Sequence, residues 1–198
     1  MGDRPLPDRI HILGASGSGT TTLAAAIAAK HGHRHLDTDE FFWLPTDPPF
    51  QTPRPRGARL TLLENALAES TAWVLSGSLC GWGDPLITRF QLIVFVAIPT
   101  EIRLQRLRAR EIARYGRDAI APGGRLHQAH VAFLEWAARY DVADATERSR
   151  TLHDGWLAAI DVPVVRLEGD RPVGAQLAAI EAAVAGGTFP RTKQARSG

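Results

Sequence analysis

The sequence predicts an α/β protein in which helices cover both faces of a parallel β-sheet. Short apolar segments alternate with helix-forming segments along most of the 198 residues, an order typical of parallel sheets. A glycine-rich turn joins the first of these strands to the first helix. Acidic and hydroxyl residues follow the next two strands, at the sheet edge where open α/β folds bind their ligands.

The alternation predicts five strands, at 9–13, 34–36, 73–76, 92–98 and 162–167. It also predicts six helices, at 20–30, 58–69, 101–115, 126–140, 143–160 and 173–185. Segment 44–57 is rich in proline, and segment 116–124 combines glycine with proline, so both are expected to be irregular. We found no internal repeat in the sequence.

Composition limits the classes of protein to which this chain can belong. With 44% hydrophobic residues the chain can bury one substantial core, and a net charge of +2 gives no strong nucleic-acid signal. The single cysteine, Cys80, excludes an internal disulfide and fits a reducing compartment. The longest apolar run, 92–98, is too short to span a bilayer, and the polar start resembles no signal peptide. We therefore expect a cytoplasmic protein with no membrane partner.

The glycine-rich turn has the spacing of a phosphate-binding P-loop. Segment 14–21 (GASGSGTT) follows G-x-x-x-x-G-x-T between a strand and a helix, so its backbone N–H groups can converge on an anion. Thr21 then stands where a hydroxyl binds Mg²⁺, but Thr20 occupies the position of the usual lysine. An ordinary glycine-rich turn is the alternative. A dinucleotide-binding fingerprint fails, because Thr22 replaces its third glycine.

Two aspartates follow the second strand in the sequence Asp37-Thr38-Asp39. One carboxylate of such a pair can hold Mg²⁺ while the other accepts a proton from an attacking hydroxyl. Two negative charges this close also raise one pKa, which suits a general base. The alternative is that Asp39 merely caps a short helix.

The third strand ends in small hydroxyl residues. Ser76 or Ser78 stands where many P-loop proteins carry a metal-organising aspartate. Trp82, in the following loop, is either a stacking surface for an acceptor or a core residue. Cys80 has no recognisable activating partner, so a nucleophilic role is disfavoured.

Arginines are concentrated in the segment that follows the fourth strand. Helical spacing predicts that Arg103, Arg106, Arg110 and Arg114 share one face, with Ile102 and Leu107 nearer the opposite side. Arg110, Arg114 and Arg117 border the break at 116–124, where a mobile flap could close on a nucleotide. Arginine can neutralise a transferring phosphoryl group, so this is where we seek a replacement for the missing lysine.

Three further arginines, Arg139, Arg148 and Arg150, are weaker candidates because they fall within predicted helices. A last group, Arg54, Arg56 and Arg59, either meets an anionic acceptor or forms part of a surface linker.

Taken together, these motifs resemble the adenylate kinase and shikimate kinase group of P-loop phosphotransferases. The stretches HLDTDEFFWLP, WVLSGS and RLQRLRARE are most similar to the adenylate-kinase-like proteins that include the DNA topology modulation proteins. The resemblance covers roughly 10–184, and Thr20 in place of lysine is its main departure. It implies a three-layer α/β/α P-loop NTPase fold with a five-stranded parallel sheet and a helical lid. It also implies a kinase-like domain over 8–186, with an acceptor-binding region at 41–67, a lid at 108–126 and a flexible tail at 187–198.

The resemblance also assigns roles to individual residues, with ATP and Mg²⁺ as cofactors. Predicted catalytic residues are Asp39, Arg110, Arg114 and Arg117, and predicted metal ligands are Thr21 and Asp37. Predicted nucleotide-binding residues are Gly14, Ala15, Ser16, Gly17, Ser18, Gly19, Thr20, Thr21, Thr22, Gly169, Asp170, Arg171 and Pro172. The last four follow the final strand and would flank adenine.

Two functions follow from these roles. The first is a phosphotransferase that acts on an unidentified small-molecule acceptor. The second is a nucleotide-binding regulatory protein with little turnover, which the missing lysine favours. An NAD(P)-dependent oxidoreductase is disfavoured by Thr22 and by the lack of a Tyr-x-x-x-Lys pair.

Overall fold

The sheet has five parallel strands in the order β2-β3-β1-β4-β5, in a computed structural model that describes residues 6–187. The strands are β1 (Arg9–Gly14), β2 (Arg34–Asp37), β3 (Trp73–Ser76), β4 (Leu92–Ala97) and β5 (Val164–Glu168). Every pairing is parallel, and β1 lies in the centre with β3 and β4 on either side. The predicted parallel sheet is confirmed. Because the strands point the same way, their carboxyl ends meet along one edge.

Eight α-helices connect and cover the strands within the described residues. They are α1 (Thr20–His31), α2 (Thr38–Phe42), α3 (Arg56–Ala68), α4 (Thr100–Tyr115), α5 (Arg117–Ile120), α6 (His127–Ala138), α7 (Arg150–Ala158) and α8 (Val173–Gly186). Two 3₁₀ helices, Asp84–Arg89 and Arg139–Asp141, complete the set. The predicted tail at 187–198 lies outside the described residues except for Gly187, which ends α8 with a φ of 63°.

Each face of the sheet has its own hydrophobic core, which confirms the predicted three-layer architecture. On one face, Leu23 and Ile27 of α1 and Ile180 of α8 pack against alternate residues of the central strands. On the other face, Leu63 of α3 and Leu157 of α7 pack against the opposite set. Alternating side chains of one strand point to opposite faces, so both layers are fixed to the same backbone.

The predicted helix at 143–160 is wrong over its first seven residues. A turn forms where the Thr146 amide donates to Asp144 Oδ1 at 2.8 Å, and α7 begins only at Arg150. Ser149 caps α7, because its hydroxyl accepts from the Leu152 amide at 3.0 Å. Arg148 therefore lies in a loop.

Shorter elements also differ from the expectation. α2 and the 3₁₀ helix Asp84–Arg89 are additional, α5 forms inside the expected break at 116–124, and α3 begins within the segment expected to be irregular. Helices of one or two turns leave too few residues to show a periodic pattern.

The orientation of α4 also differs from the prediction. Its buried stripe consists of Arg103, Leu107 and Glu111, so Leu107 lies on the same side as Arg103. The Arg103 side chain is completely buried, where four acceptors surround its guanidinium. They are Ile98 O at 3.0 Å, Ala137 O at 3.1 Å, and Thr100 Oγ1 and Asp141 Oδ2 at 2.8 Å each. These hydrogen bonds compensate the guanidinium for the hydration that it loses on burial, a loss that otherwise keeps arginine out of protein interiors.

Within residues 6–187, no helix has both the length and the apolar character needed to cross a membrane.

Candidate functional site

The glycine-rich turn connects β1 directly to α1, and its glycines are required by close packing. A Cβ on Gly14 would lie 2.5 Å from Val96 O, and one on Gly17 would lie 2.7 Å from Arg103 O. Gly17 and Gly19 have φ angles of 81° and 91°, in the left-handed region that favours glycine. The loop therefore wraps tightly before the N-terminus of α1, with Ser18 N bonded to Ala15 O at 3.1 Å.

A cleft of about 770 Å³ opens above this loop at the carboxyl edge of the sheet. Eight of the predicted nucleotide-binding residues line it in one unbroken run, namely Ala15, Ser16, Gly17, Ser18, Gly19, Thr20, Thr21 and Thr22. From the turn after β5, Arg171 also lines this cleft, which we call the P-loop cleft.

The other four predicted nucleotide-binding residues support the cleft rather than line it. Gly14 lies beneath the loop, and the Gly169 amide donates to Ala97 O at 3.0 Å. Asp170 accepts from Arg106 Nη2 at 2.5 Å, and Pro172 immediately precedes α8. The turn after β5 is thus fixed both to the sheet and to α4.

The predicted metal ligands, Thr21 and Asp37, are brought together by the fold. Thr21 Oγ1 donates to Asp37 Oδ2 at 2.8 Å, and Ser76 Oγ donates to the same oxygen at 3.0 Å. The other oxygen, Asp37 Oδ1, accepts from the Asp39 amide at 3.0 Å and so caps α2. Ser76 reaches Asp37 because the two residues are paired across β2 and β3. The capping residue is therefore Asp37, not Asp39.

Asp39 lies in the first turn of α2 with its side chain open to the cleft. Although Asp39 is exposed to solvent, the surrounding walls of the cleft desolvate its carboxyl and raise its pKa above the usual value, and the negative charge of Asp37 raises it further. The positive charges of Arg148 and Arg110 oppose this shift. A carboxyl with a raised pKa binds a proton more readily, as a general base requires.

A second cavity of about 420 Å³ adjoins the P-loop cleft. It lies between the segment 43–51 and the helices α4, α5 and α6, and we call it the acceptor cavity. The residues that line both spaces are Ser16, Asp39, Phe50, Arg110, Arg114 and Arg148. The segments predicted as acceptor-binding region (41–67) and lid (108–126) both contribute residues to this cavity.

The predicted arginines take four different positions. Arg110 and Arg114 line both spaces, and the Oε1 atom of the buried Glu111 lies 4.0 Å and 3.9 Å from their nitrogens. Arg106 lines the P-loop cleft, where its Nη1 donates to Gly17 O at 3.4 Å. Arg117 is exposed and lines neither space, and Arg103 is enclosed in the interior.

Arg148, a weaker candidate from the sequence, lines both the P-loop cleft and the acceptor cavity. Its Nη2 donates to Gly14 O at 2.7 Å, so it holds the start of the P-loop from 134 residues away in sequence. Burial lowers the pKa of its guanidinium, and the carboxylate of Asp39 partly compensates. Because the predicted helix began at residue 143, Arg148 was expected within a helix rather than in the loop before α7. The signal that could have revealed it is Ser149, a strong N-cap type directly before a helix-forming segment.

Several other candidates have structural roles. Ser78 Oγ lies 3.0 Å from His153 Nε2, while Trp82 packs in the core and donates to Ser78 O at 3.0 Å. Burial raises the pKa of Cys80 to about 11, so its thiol stays protonated at neutral pH. Arg54 donates to Phe41 O and Trp43 O, and Arg59 stacks on Phe42 at 3.7 Å. None of these five side chains lines either space.

Comparison with known proteins agrees with this geometry. A family model described as "AAA domain" matches residues 10–121, which include the P-loop and the acidic pair. The uncharacterized protein YqaC of Bacillus subtilis (strain 168) is 48% identical over 161 residues, covering 81% of this chain and 88% of that protein.

Two solved structures have a similar fold. A gluconokinase from Sinorhizobium meliloti 1021 matches with a TM-score of 0.51 and 18% identity, covering 92% of this chain and 94% of its own. A shikimate kinase from Aquifex aeolicus vf5 matches with a TM-score of 0.51 and 17% identity, covering 90% and 97%. The chain therefore has a P-loop kinase-like fold and belongs to the family described as AAA domain.

Proposed function

We propose that this protein is a phosphotransferase that uses Mg-ATP to phosphorylate a hydroxyl group of a small molecule. The observation that carries the proposal is the position of Asp39, which lies where the P-loop cleft meets the acceptor cavity. A carboxylate at that junction can accept a hydroxyl proton beside the terminal phosphoryl group of a nucleotide in the cleft.

The cleft supplies an anion-binding environment without the usual lysine. Its loop precedes the N-terminus of α1, where free backbone amides and the helix dipole favour phosphate. Five arginines, Arg106, Arg110, Arg114, Arg148 and Arg171, line it and provide positive charge. Arginine presents a planar fork of donors that suits phosphate oxygens. We propose that the turn bearing Arg171 flanks the base of the nucleotide.

Thr21 and Asp37 fit a magnesium ion that is bound together with nucleotide. Mg²⁺ in such sites usually has one or two protein ligands, with waters and phosphate oxygens completing its shell. Within residues 6–187 no group of three His, Cys, Asp or Glu side chains is placed to hold a metal by itself. The Thr21 hydroxyl and the Asp37 carboxylate could supply the one or two protein ligands that such an ion needs. When bound, Mg²⁺ would neutralise charge on the phosphates.

The protein groups then divide the remaining work. Asp39 orients the acceptor hydroxyl and takes its proton, while Arg110 and Arg114 stabilise negative charge on the transferred phosphoryl group. Arg148 holds Gly14 and lies beside Asp39, so it connects the loop to the base. Arg117 has no part in this proposal, because it lies outside both spaces.

A second candidate function is nucleotide binding without turnover, in a protein that regulates a partner. Thr20, which cannot carry the positive charge of lysine, is the observation that favours it. The two candidates differ in whether phosphate leaves ATP.

The test separates binding from transfer. Saturation with ATP and Mg²⁺ at 100 times the dissociation constant should stabilise the fold by about 2.7 kcal/mol, which a thermal melt detects. Transfer is then followed with ³²P-labelled ATP over a panel of small hydroxy compounds. Asp39→Asn should abolish transfer and keep ATP binding, while Asp161→Asn, an exposed carboxylate away from both spaces, should change neither.

Binding of ATP with no transfer to any compound and no hydrolysis would favour the regulatory function. A melt that ATP does not shift would overturn both candidates.

A further inference from the structure

The geometry of the acceptor cavity points to a specific class of acceptor, and this inference rests on the proposed phosphotransferase function. We infer that the acceptor is a neutral molecule with a flat aromatic ring and a hydroxyl group. Nucleosides and aryl alcohols share this chemistry. The unusual lining of the cavity supports it.

Five aromatic side chains line the acceptor cavity, namely Trp43, Phe50, Tyr115, Phe133 and Trp136. All five are partly or largely exposed, and none belongs to either of the hydrophobic cores found within residues 6–187. Aromatic side chains usually bury most of their large apolar surface in a core or an interface. Their grouping around an open space is therefore best explained by a ligand that covers them.

Four of these rings form two pairs. Phe133 and Trp136 are stacked at a centroid distance of 6.0 Å and an angle of 27°. On the facing segment, Trp43 and Phe50 meet edge to face at 6.2 Å. The backbone of Phe50 has a φ of 66°, an uncommon conformation for a bulky residue, and its ring faces both spaces. A flat ring can occupy a space with such walls through stacking and edge contacts.

The cavity is most polar where it meets the P-loop cleft. Ser16, Asp39 and Arg148 belong to the end that it shares with the cleft. Away from the cleft, the apolar side chains of Ile120, Leu126 and Ala129 lie beside the aromatic rings, together with the polar side chains of Gln51, Glu111 and His130. A ligand with a ring at one end and a hydroxyl at the other fits this lining with its hydroxyl toward Asp39. A volume of about 420 Å³ is within the range of small-molecule sites.

Charge in the cavity disfavours an acceptor that carries its own phosphate. Glu111 is buried between Arg110 and Arg114, so its carboxylate already balances one of these positive charges. Arg110, Arg114 and Arg148 line both spaces, and the phosphates of ATP in the P-loop cleft would occupy them. The carboxylates of Asp39 and Glu111 also line the acceptor cavity and would repel a second phosphate there.

The transfer step needs only ATP, the acceptor hydroxyl and the Asp39 carboxylate. The acceptor oxygen forms a bond to the γ-phosphorus of ATP as the bond from that phosphorus to the β–γ bridging oxygen breaks. The departing oxygen keeps the electron pair and ADP leaves. The hydroxyl proton passes to the Asp39 carboxylate.

The experiment compares acceptors after ATP binding has been established by thermal melt. The panel contains nucleosides, aryl alcohols, gluconate, shikimate and nucleoside monophosphates, and ³²P transfer measures kcat/KM for each. We expect transfer to nucleosides or to aryl alcohols, and the preferred subset identifies the source of the ring. Equal or faster transfer to gluconate or shikimate overturns the inference. A preference for monophosphates over their nucleosides overturns its neutral character.

Variants of the cavity wall provide a second measurement. Phe133→Leu should raise KM for the ring-bearing acceptor about tenfold, as expected for loss of one stacking partner, and leave the Kd for ATP unchanged. Phe133→Tyr keeps a flat ring and should retain most of the affinity. Val131→Ala, an exposed position on α6 that does not line the cavity, is the matched control.

The two proposals fail in different ways. If ATP does not bind or is never cleaved, the phosphotransferase function fails. If the γ-phosphoryl group of ATP is transferred but Phe133→Leu leaves the KM of every acceptor unchanged, the phosphotransferase function stands and the aromatic acceptor is excluded.

Discussion

Thr20 and Arg106 both line the P-loop cleft, and they bear on how much positive charge a phosphate would meet there. Thr20 stands at the usual lysine position, whereas Arg106 approaches from α4 and donates to Gly17 O at 3.4 Å. A Cβ on Gly19 would lie 3.7 Å from Arg106 Nη1, so this guanidinium is already next to the loop. The guanidinium of Arg106, which belongs to α4, can therefore supply the positive charge that a lysine at position 20 of α1 would provide.

This replacement predicts the result of restoring the lysine. Thr20→Lys should change the Kd for ATP by less than about threefold, because the cleft already contains five arginines. Arg106→Gln should weaken ATP binding about tenfold, in line with the loss of one charged hydrogen bond. The double variant should recover most of that loss. Isothermal titration provides the three values, and a large gain from Thr20→Lys alone would show that the arginines do not compensate.

Asp39 should control the acid side of the pH–rate profile. Its carboxyl must be ionised to act as a base, and its pKa is raised by desolvation in the cleft and by Asp37. Transfer should therefore decline as pH falls through a value above the ordinary carboxyl range. Measurement of kcat/KM between pH 4 and about 9 checks this. A rate that is constant down to the ordinary carboxyl pKa would exclude Asp39 as the base.

The same shift has a consequence for stability. Between the unfolded pKa of about 3.8 and the raised folded pKa, the native state binds more protons, so unfolding free energy falls as pH rises. Above the folded pKa, the unfavourable free energy of ionising Asp39 in the native state destabilises the wild type in full. Without ligand, Asp39→Asn should therefore melt at a higher temperature than the wild type at pH 7. The difference should shrink below the ordinary carboxyl pKa, and Asp161→Asn should show no such trend.

Arg148 should matter for turnover more than an exposed arginine of the same region. Arg148→Lys keeps a charge but loses the fork that holds Gly14 O, so kcat should fall by at least about tenfold. Arg139→Lys is the matched control, since Arg139 is exposed and pairs with Glu147 at the surface. Surface pairs of that kind contribute little. Comparable losses in both variants would contradict the role given to Arg148.

At the scale of elements, α4 serves two purposes with one stretch of arginines. Arg106, Arg110 and Arg114 point to the cleft, while Arg103 fastens the start of the helix to Ala137 at the end of α6 and to Asp141. The helix that carries the charges is thereby anchored to the helix that carries the aromatic wall. Movement of one should therefore be transmitted to the other.

This anchor makes a prediction for stability. Arg103→Met leaves the carbonyl groups of Ile98 and Ala137 without their side-chain donor, whereas Asp141 keeps its bond from Thr100, so we expect a cost of at least about 2 kcal/mol. For a domain of this size the melting temperature should then fall by at least about 4 °C. Arg108→Met, at an exposed position of the same helix, should shift it by less than about 2 °C. Similar shifts in both variants would contradict an anchoring role.

At the scale of the whole molecule, the sequence predicted what depends on local pattern. Strand periodicity placed all five strands within two residues, and the spacing of Gly14 and Gly19 located the loop. The topology of a parallel sheet then brought Thr21 and Asp37 together, although 16 residues separate them.

Features that depend on long-range packing were not predictable in this way. Arg103 looks like the other arginines of α4 in sequence, and only its contacts with Ala137 and Asp141 explain its burial. Arg148 is recognisable only from the loop that precedes α7 and from its bond to Gly14. The acceptor cavity combines residues from 16 to 148, and no short motif specifies such a combination.

The crowding of guanidinium groups around the P-loop cleft has a practical consequence. Burial lowers the pKa of Arg110, and the nearby charge of Arg114 lowers it further, so these two groups repel each other and a bound anion would relieve that repulsion. Any multivalent anion of suitable size relieves that repulsion, including the sulfate or phosphate of a common buffer. Nucleotide affinities measured in such buffers will be underestimated by competition, and protein purified in them will be more heat-resistant than protein exchanged into chloride.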